Sequence, residues 1–177
     1  MFRKILTYGV VAGLIVGIPL SILTATNGCS PGLWSMVIGY STMLVALSTV
    51  FVAVKRHRDI DLGGVIGFWP ALGIGLGISI IASIIYVAAW EATVAIAHID
   101  FAAGYAQALI AQEKAKGVSG AALAQFIAQM DQFKKDYANP FYRLPMTFVE
   151  IFPVGVLVSL ATAGLLRNRR FMPARRA

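Results

Sequence analysis

One cysteine, Cys29, and two histidines, His57 and His98, are all that the 177 residues hold of those types. A lone thiol excludes an internal disulfide framework and any multi-cysteine metal centre. A lipoprotein acceptor needs an apolar residue three positions upstream of its cysteine; Thr26 stands there, so Cys29 reads as a loop thiol. The histidines fall on opposite sides of the long apolar segments. A hydrolytic triad, which needs nucleophile, base and orienting acid together, is therefore not discernible. No catalytic residue, resident metal or cofactor is assigned. Charge is scarce as well: 13% of the residues are Asp, Glu, Lys or Arg, against about 25% in a soluble globular domain. Such a chain has lipid as its solvent.

What is abundant is apolar sequence, 58% of the chain, with a mean hydropathy of +0.76. It falls into four runs, at about 5–26, 33–54, 65–90 and 144–166. Each is long enough to cross a hydrocarbon core, which takes about 20 helical residues at 1.5 Å rise. The first run is too long for the apolar region of a signal peptide, about 7–15 residues, and reads as an uncleaved span. The turn formers Asn27 to Gly32 carry no charge and make a tight connection. Pro70 and Pro153 interrupt the third and fourth runs and predict kinks. The expected fold is all-α: one domain over residues 1–177, an integral membrane four-helix bundle with an extracytoplasmic amphipathic helical hairpin between spans three and four. That hairpin, at about 91–143, is formed by an extension of the third helix and a helix from Ser119, a plausible N-cap, to Asn139-Pro140.

The formal charge of +7 raises the question of nucleic acid. The positions of the charges answer it. Arg3 and Lys4 precede the first run, Lys55, Arg56 and Arg58 follow the second, and Arg167, Arg169, Arg170, Arg175 and Arg176 follow the last. Basic clusters beside spans mark the cytoplasmic side, and no aromatic interleaving accompanies them. The expectation is both termini cytoplasmic, the bilayer as partner, no nucleic acid, and a homo-oligomer or another membrane protein as a further contact.

The stretch Ile38-Gly39-Tyr40-Ser41-Thr42-Met43, then Lys55-Arg56-His57-Arg58-Asp59 and Gly63-Gly64-Val65-Ile66-Gly67-Phe68, resembles a bacterial four-span inner-membrane family of unknown function, DUF4199. The fourth span, with Thr147, Glu150 and Pro153, is similar too, so the resemblance runs from Leu6 to Leu166. It implies a bacterial inner membrane and four helices, and carries no activity with it.

Three sets of residues stand out. Gly9, Gly13 and Gly17 recur every four residues, as do Gly63/Gly67 and Gly73/Gly77, a spacing that lets helix backbones approach closely within the chain or between copies. The run Gly73 to Gly77 is no nucleotide loop, since no strand precedes it. Glu150 lies inside the fourth run, where a carboxylate is costly. It either serves a proton or cation pathway, with Glu91 at similar depth and His98 two turns beyond Glu91, or it is neutral or paired with Arg143 or a backbone group near the outer interface for structural reasons. A metal held by Glu91, His98 and Glu150 would need three or four converging ligands, and spacing secures only one pair. His57 reads as a solvated loop residue. Trp34, Trp69, Trp90, Phe141 and Tyr142, near span ends, read as interfacial anchors. Three functions follow: a non-enzymatic envelope or assembly protein, a small transporter or channel subunit using the intramembrane carboxylates, and, weakest, an enzyme.

Overall fold

The computed structural model describes residues 1–27 and 32–173; Cys29, Arg175 and Arg176 lie outside them. Six α-helices follow one another: α1 (Phe2–Asn27), α2 (Leu33–Arg56), α3 (Phe68–Ala97), α4 (Phe101–Ala115), α5 (Gly120–Tyr137) and α6 (Pro140–Leu166). A π-helical turn, His57–Asp61, continues α2. No strand occurs among the described residues. Four of the helices, α1, α2, α3 and α6, are long and apolar enough to cross a membrane. Only 28% to 44% of their most hydrophobic stretches is buried inside the protein. Residues such as Ile18, Val45, Ile84, Val149 and Leu157 present apolar side chains outward, and a belt of that extent needs lipid against it. Trp34 and Phe141 stand exposed at one end of this belt and Phe2 and Trp69 at the other, as aromatic side chains do at membrane interfaces.

The helices do not pack in chain order. α3 lies against α1 and α6, and α2 also touches both of these, so the order around the bundle is α1, α2, α6, α3. Glycine decides this arrangement. A Cβ placed on Gly9, Gly13 or Gly17 would come within 2.6–2.8 Å of the Cβ of Ile81, Ile85 and Ala89 respectively. The stripe on α1 is thus fully used by α3, which rises beside it in parallel. A Cβ on Gly77 would come 3.1 Å from Cγ2 of Ile5, a looser contact, whereas Gly73 faces open space.

A second close seam joins the antiparallel pair α3 and α6. Gly75 receives Ser159, and Gly155 receives Ser79. The two hydroxyls lie 3.3 Å apart and donate to the carbonyls of Gly75 and Gly155, one turn back in their own helices. Serine is at home there because its polar atom is satisfied within the helix, leaving a small side chain at the contact.

Sequence expectations change at both ends of α3. Pro70 makes no kink: α3 begins at Phe68, with Gly67 as its N-cap, so Pro70 occupies the first turn, where a backbone N–H has no helical partner anyway. The first arm of the hairpin is not an extension of α3. That helix ends at Ala97, His98 turns the chain in the left-handed region at φ 50°, and Asp100 starts α4 by accepting a hydrogen bond from the Ala103 amide at 3.0 Å. Ser119 takes the N-cap place of α5 without a side-chain hydrogen bond, while Asn139 caps α6 through the Phe141 amide, with Pro140 following it. Pro153 does lie inside α6.

At the end of the bundle that holds the first residues of α1 and the last of α6, the turn after α2 is an ionic knot. Lys4 and His57 both pair with Asp61, and Lys55 pairs with Asp59 at 2.6 Å. His57 is thereby held by a hydrogen bond between its Nδ1 and Asp61 at 2.6 Å and is not a freely solvated residue. Gly63 and Gly64, with φ of +63° and +91°, reverse the chain. Arg58 is fully buried. Its guanidinium donates to Asp59 at 2.7 Å and to the carbonyls of Phe171 at 3.0 Å and Met172 at 2.6 Å, clamping the segment after α6 onto the bundle. Phe171 is inserted beside Phe51, ring edge to face at 6.4 Å. Removing charge-assisted bonds to buried groups costs roughly 2–4 kcal/mol, and Arg58→Met is expected to release the segment. Trypsin should then cut at Arg167, Arg169 and Arg170 at least several-fold faster than in the wild type. An unchanged digestion rate would show that the clamp holds nothing.

Candidate functional site

At the opposite end, under the α4–α5 hairpin, the bundle opens. The reason is visible along α2. From Met43 onward its buried positions recur at Ala46, Leu47, Val50, Ala53 and Val54, but from Leu33 to Thr42 no residue is buried. The first ten residues of α2 therefore stand off from α3 and α6, while the glycine seams hold those two helices and α1 tightly together. The gap is a cleft of about 790 Å³, within the range of about 300–1,000 Å³ typical of small-molecule sites.

Aromatic side chains dominate its wall: Trp34 and Tyr40 from α2, Tyr86 and Trp90 from α3, Phe101 from α4 and Tyr137 from α5. Several of these form one stacked group. Trp90 meets Phe101 edge to face at 5.0 Å, and Phe101 packs against Tyr105 and Tyr137 at 5.6 and 5.5 Å. The Trp90 indole donates to the Tyr137 hydroxyl at 2.9 Å. Burial pushes the Tyr137 phenol up to about 12, against the opposing effect of that indole bond, so it keeps its proton. Trp90, read from sequence as an interfacial anchor, is buried: the hairpin folds over it, whereas Trp34, Trp69 and Phe141 remain exposed.

The three residues read as an ion or proton site part company. Glu91 takes Arg143 in a two-pronged pair, Nε to Oε1 at 2.7 Å and Nη2 to Oε2 at 2.5 Å. Arg143 also lies over the Tyr137 ring, 5.7 Å from its centre. His98 is exposed beyond the end of α3, because the helix stops before carrying it round to the Glu91 face. Glu150 is left on the cleft wall, where its partner is the Tyr86 hydroxyl, which donates to Oε2 at 3.3 Å. Arg143, one of the two structural partners anticipated for Glu150, belongs to Glu91 instead. Among the described residues no three His, Cys, Asp or Glu side chains gather as a metal site would require. Sequence reasoning missed the cleft itself, since its walls come from helices far apart in the chain, and it missed the Gly75/Ser159 and Gly155/Ser79 seam that shapes one side.

Residues 7–168 match the family model described as "Protein of unknown function (DUF4199)". The chain belongs to that family. The matched span takes in nearly all of the four long helices, the hairpin, both seams and the cleft, so the architecture of this DUF4199 protein is that of the family's own extent. Comparison with curated proteins and with solved structures finds no match. Chemically, the site can enclose an apolar body against aromatic rings and offer it one carboxylate and a few hydroxyls.

Proposed function

We propose that this DUF4199 chain is a non-enzymatic protein of the bacterial inner membrane, with both termini cytoplasmic, that binds a small, largely apolar molecule in the cleft beneath an extracytoplasmic hairpin. The cleft carries the reading: an aromatic-walled opening of about 790 Å³ at the membrane end of a bundle otherwise closed by glycine seams. The orientation is supported by the charge pattern, with Arg3, Lys4, Lys55, Arg56, Arg58 and Arg167 at the ends of the spans opposite the hairpin.

Gly39 supplies the test. It lines the cleft, and a Cβ there meets nothing within 4 Å, so Gly39→Phe starts a bulky side chain at the opening with no clash at its first atom. With Trp34→Phe and Trp69→Phe leaving Trp90 as sole reporter, ω-bromododecanol is expected to quench its fluorescence saturably in maltoside micelles. Gly39→Phe should abolish the saturable part. Quenching that never saturates, or that Gly39→Phe leaves unaltered, would remove the cleft as a binding site.

A second reading, a small transporter or channel subunit, is favoured by one observation: Glu150 lies within a span yet opens to the cleft. It requires Glu150→Gln to stop solute flux in proteoliposomes while the protein stays folded. Assembly with another copy or another membrane protein is less favoured, because Gly9, Gly13, Gly17 and Gly77 make contacts inside the chain.

A further inference from the structure

Resting on the cleft being a binding site, we infer that its ligand is a cationic amphiphile: a protonated alkylamine or alkyl quaternary ammonium whose charged head meets Glu150 and whose chain lies along the cleft.

Three observations converge. Among the described residues Glu150 is the sole formally charged side chain on the cleft wall. No basic side chain joins it there, so a carboxylate or phosphate head would find no counter-charge, which disfavours fatty acids and phospholipids alike.

The second observation is the state of that carboxylate. Among the described residues no Lys, Arg or His lies within ion-pair distance of Glu150, and its hydrogen bond from Tyr86 is long for an O–H donor. Arg143 is two helical turns away on the same helix and would be its natural counter-ion, but both prongs of the guanidinium are taken by Glu91. Glu150 is exposed to the cleft, whose lining is largely apolar, and a carboxylate facing such groups within a span is costly unless a cation comes to it. The local pairing thus leaves a place for one from outside the chain.

The third is the company Glu150 keeps. Tyr86, which touches it, and Tyr40, Trp90 and Tyr137 share the same wall. Aromatic faces attract ammonium groups, quaternary ones included, and a carboxylate beside them adds a full charge to that attraction. Leu20, Leu23, Met43 and Met146 add flexible or branched apolar surface suited to an alkyl chain, beside the polar Thr24, Ser35, Gln112 and Thr147.

The full chain in maltoside micelles, with Trp90 as sole tryptophan, tests this with three probes of one chain length: ω-bromododecyl-trimethylammonium, ω-bromododecanol and ω-bromododecanoate. The ammonium is expected to saturate quenching at a concentration about tenfold below the alcohol, the difference that about 1.4 kcal/mol of head-group interaction makes, with the carboxylate weakest. Glu150→Gln should bring ammonium and alcohol level, and its retained alcohol binding shows that the variant is folded. If Glu150→Gln does not fold, Tyr86→Leu and Tyr40→Leu, each expected to weaken the ammonium several-fold more than the alcohol, decide the matter. Equal binding of ammonium and alcohol in the wild type, both lost in Gly39→Phe, would overturn the cationic ligand while leaving the cleft a binding site. Absence of saturable binding by any probe, or its persistence in Gly39→Phe, would overturn both.

Discussion

Gly13→Leu is expected to lower the melting temperature of the bundle more than a change at any other glycine of α1 or α3. Its Cβ would stand 2.6 Å from the Cβ of Ile85 and 2.9 Å from the carbonyl oxygen of Ala82. The second neighbour is backbone and has no rotamer to change. Accommodation requires α1 and α3 to separate, and a leucine reaches well beyond its Cβ. Moving the helices apart also breaks the contacts of Gly9 and Gly17 above and below. Overpacking at a single site costs typically 1–3 kcal/mol; three coupled contacts on one face place this variant at or above about 3 kcal/mol, a large part of an ordinary domain's stability of about 5–15 kcal/mol. Thermal unfolding in detergent, followed by accessibility of an introduced cysteine at Ala12, measures it. Gly73→Leu is the control: that position faces open space and should leave the melting temperature within about 2 °C of wild type, as surface changes do. Equal behaviour of the two variants would mean that the α1–α3 seam does not organise the bundle.

The second large effect is expected from Arg143→Leu. Two charge-assisted bonds to Glu91 disappear, together with the guanidinium's bond to the Tyr137 carbonyl and its place over the Tyr137 ring. Glu91, half-buried at the hairpin base, loses its cation. Both partners retain some solvent contact, so the loss is set below that of a fully buried pair, at roughly 2–3 kcal/mol. It should be local. Amide exchange in the last two turns of α5 and the first turn of α6 is expected to accelerate at least tenfold, while α1 and the lower part of α3 stay protected. Because a lone buried carboxylate is worse than none, Glu91→Leu combined with Arg143→Leu should recover part of that protection. Exchange rates in α5 indifferent to Arg143→Leu would show that the pair does not fasten the hairpin.

The spans were legible in the sequence because lipid leaves little choice: a helix about 20 residues long must be apolar on nearly every side, and that pattern is local. Helix ends were less so. Asp100 and His98 look like two polar residues in a continuing helix, and only the hydrogen bond to the Ala103 amide turns one of them into a cap. Glycine spacing marks α1 as a surface for close approach, yet periodicity is the same whether the neighbour is α3 or a second copy. Gly75 carried a readable sign, two residues from Gly73 and on a different face, but its partner Ser159 lies 84 positions further along. The cleft was invisible for a related reason: an opening is defined by where α2 fails to touch its neighbours, and a sequence records no such failure. Glu150 was recognisable by its setting alone, whereas its separation from Arg143 depended on which carboxylate the guanidinium could reach in three dimensions.

The clamp at Arg58 has a consequence for synthesis. Its carbonyl acceptors belong to residues 171 and 172, made long after α2 has entered the bilayer. While translation proceeds, this arginine must stay hydrated at the membrane edge, tethering the α2–α3 link in water. Only when residues 171 and 172 emerge can it make these bonds, so a segment 113 and 114 positions downstream completes the corner between α2 and α3.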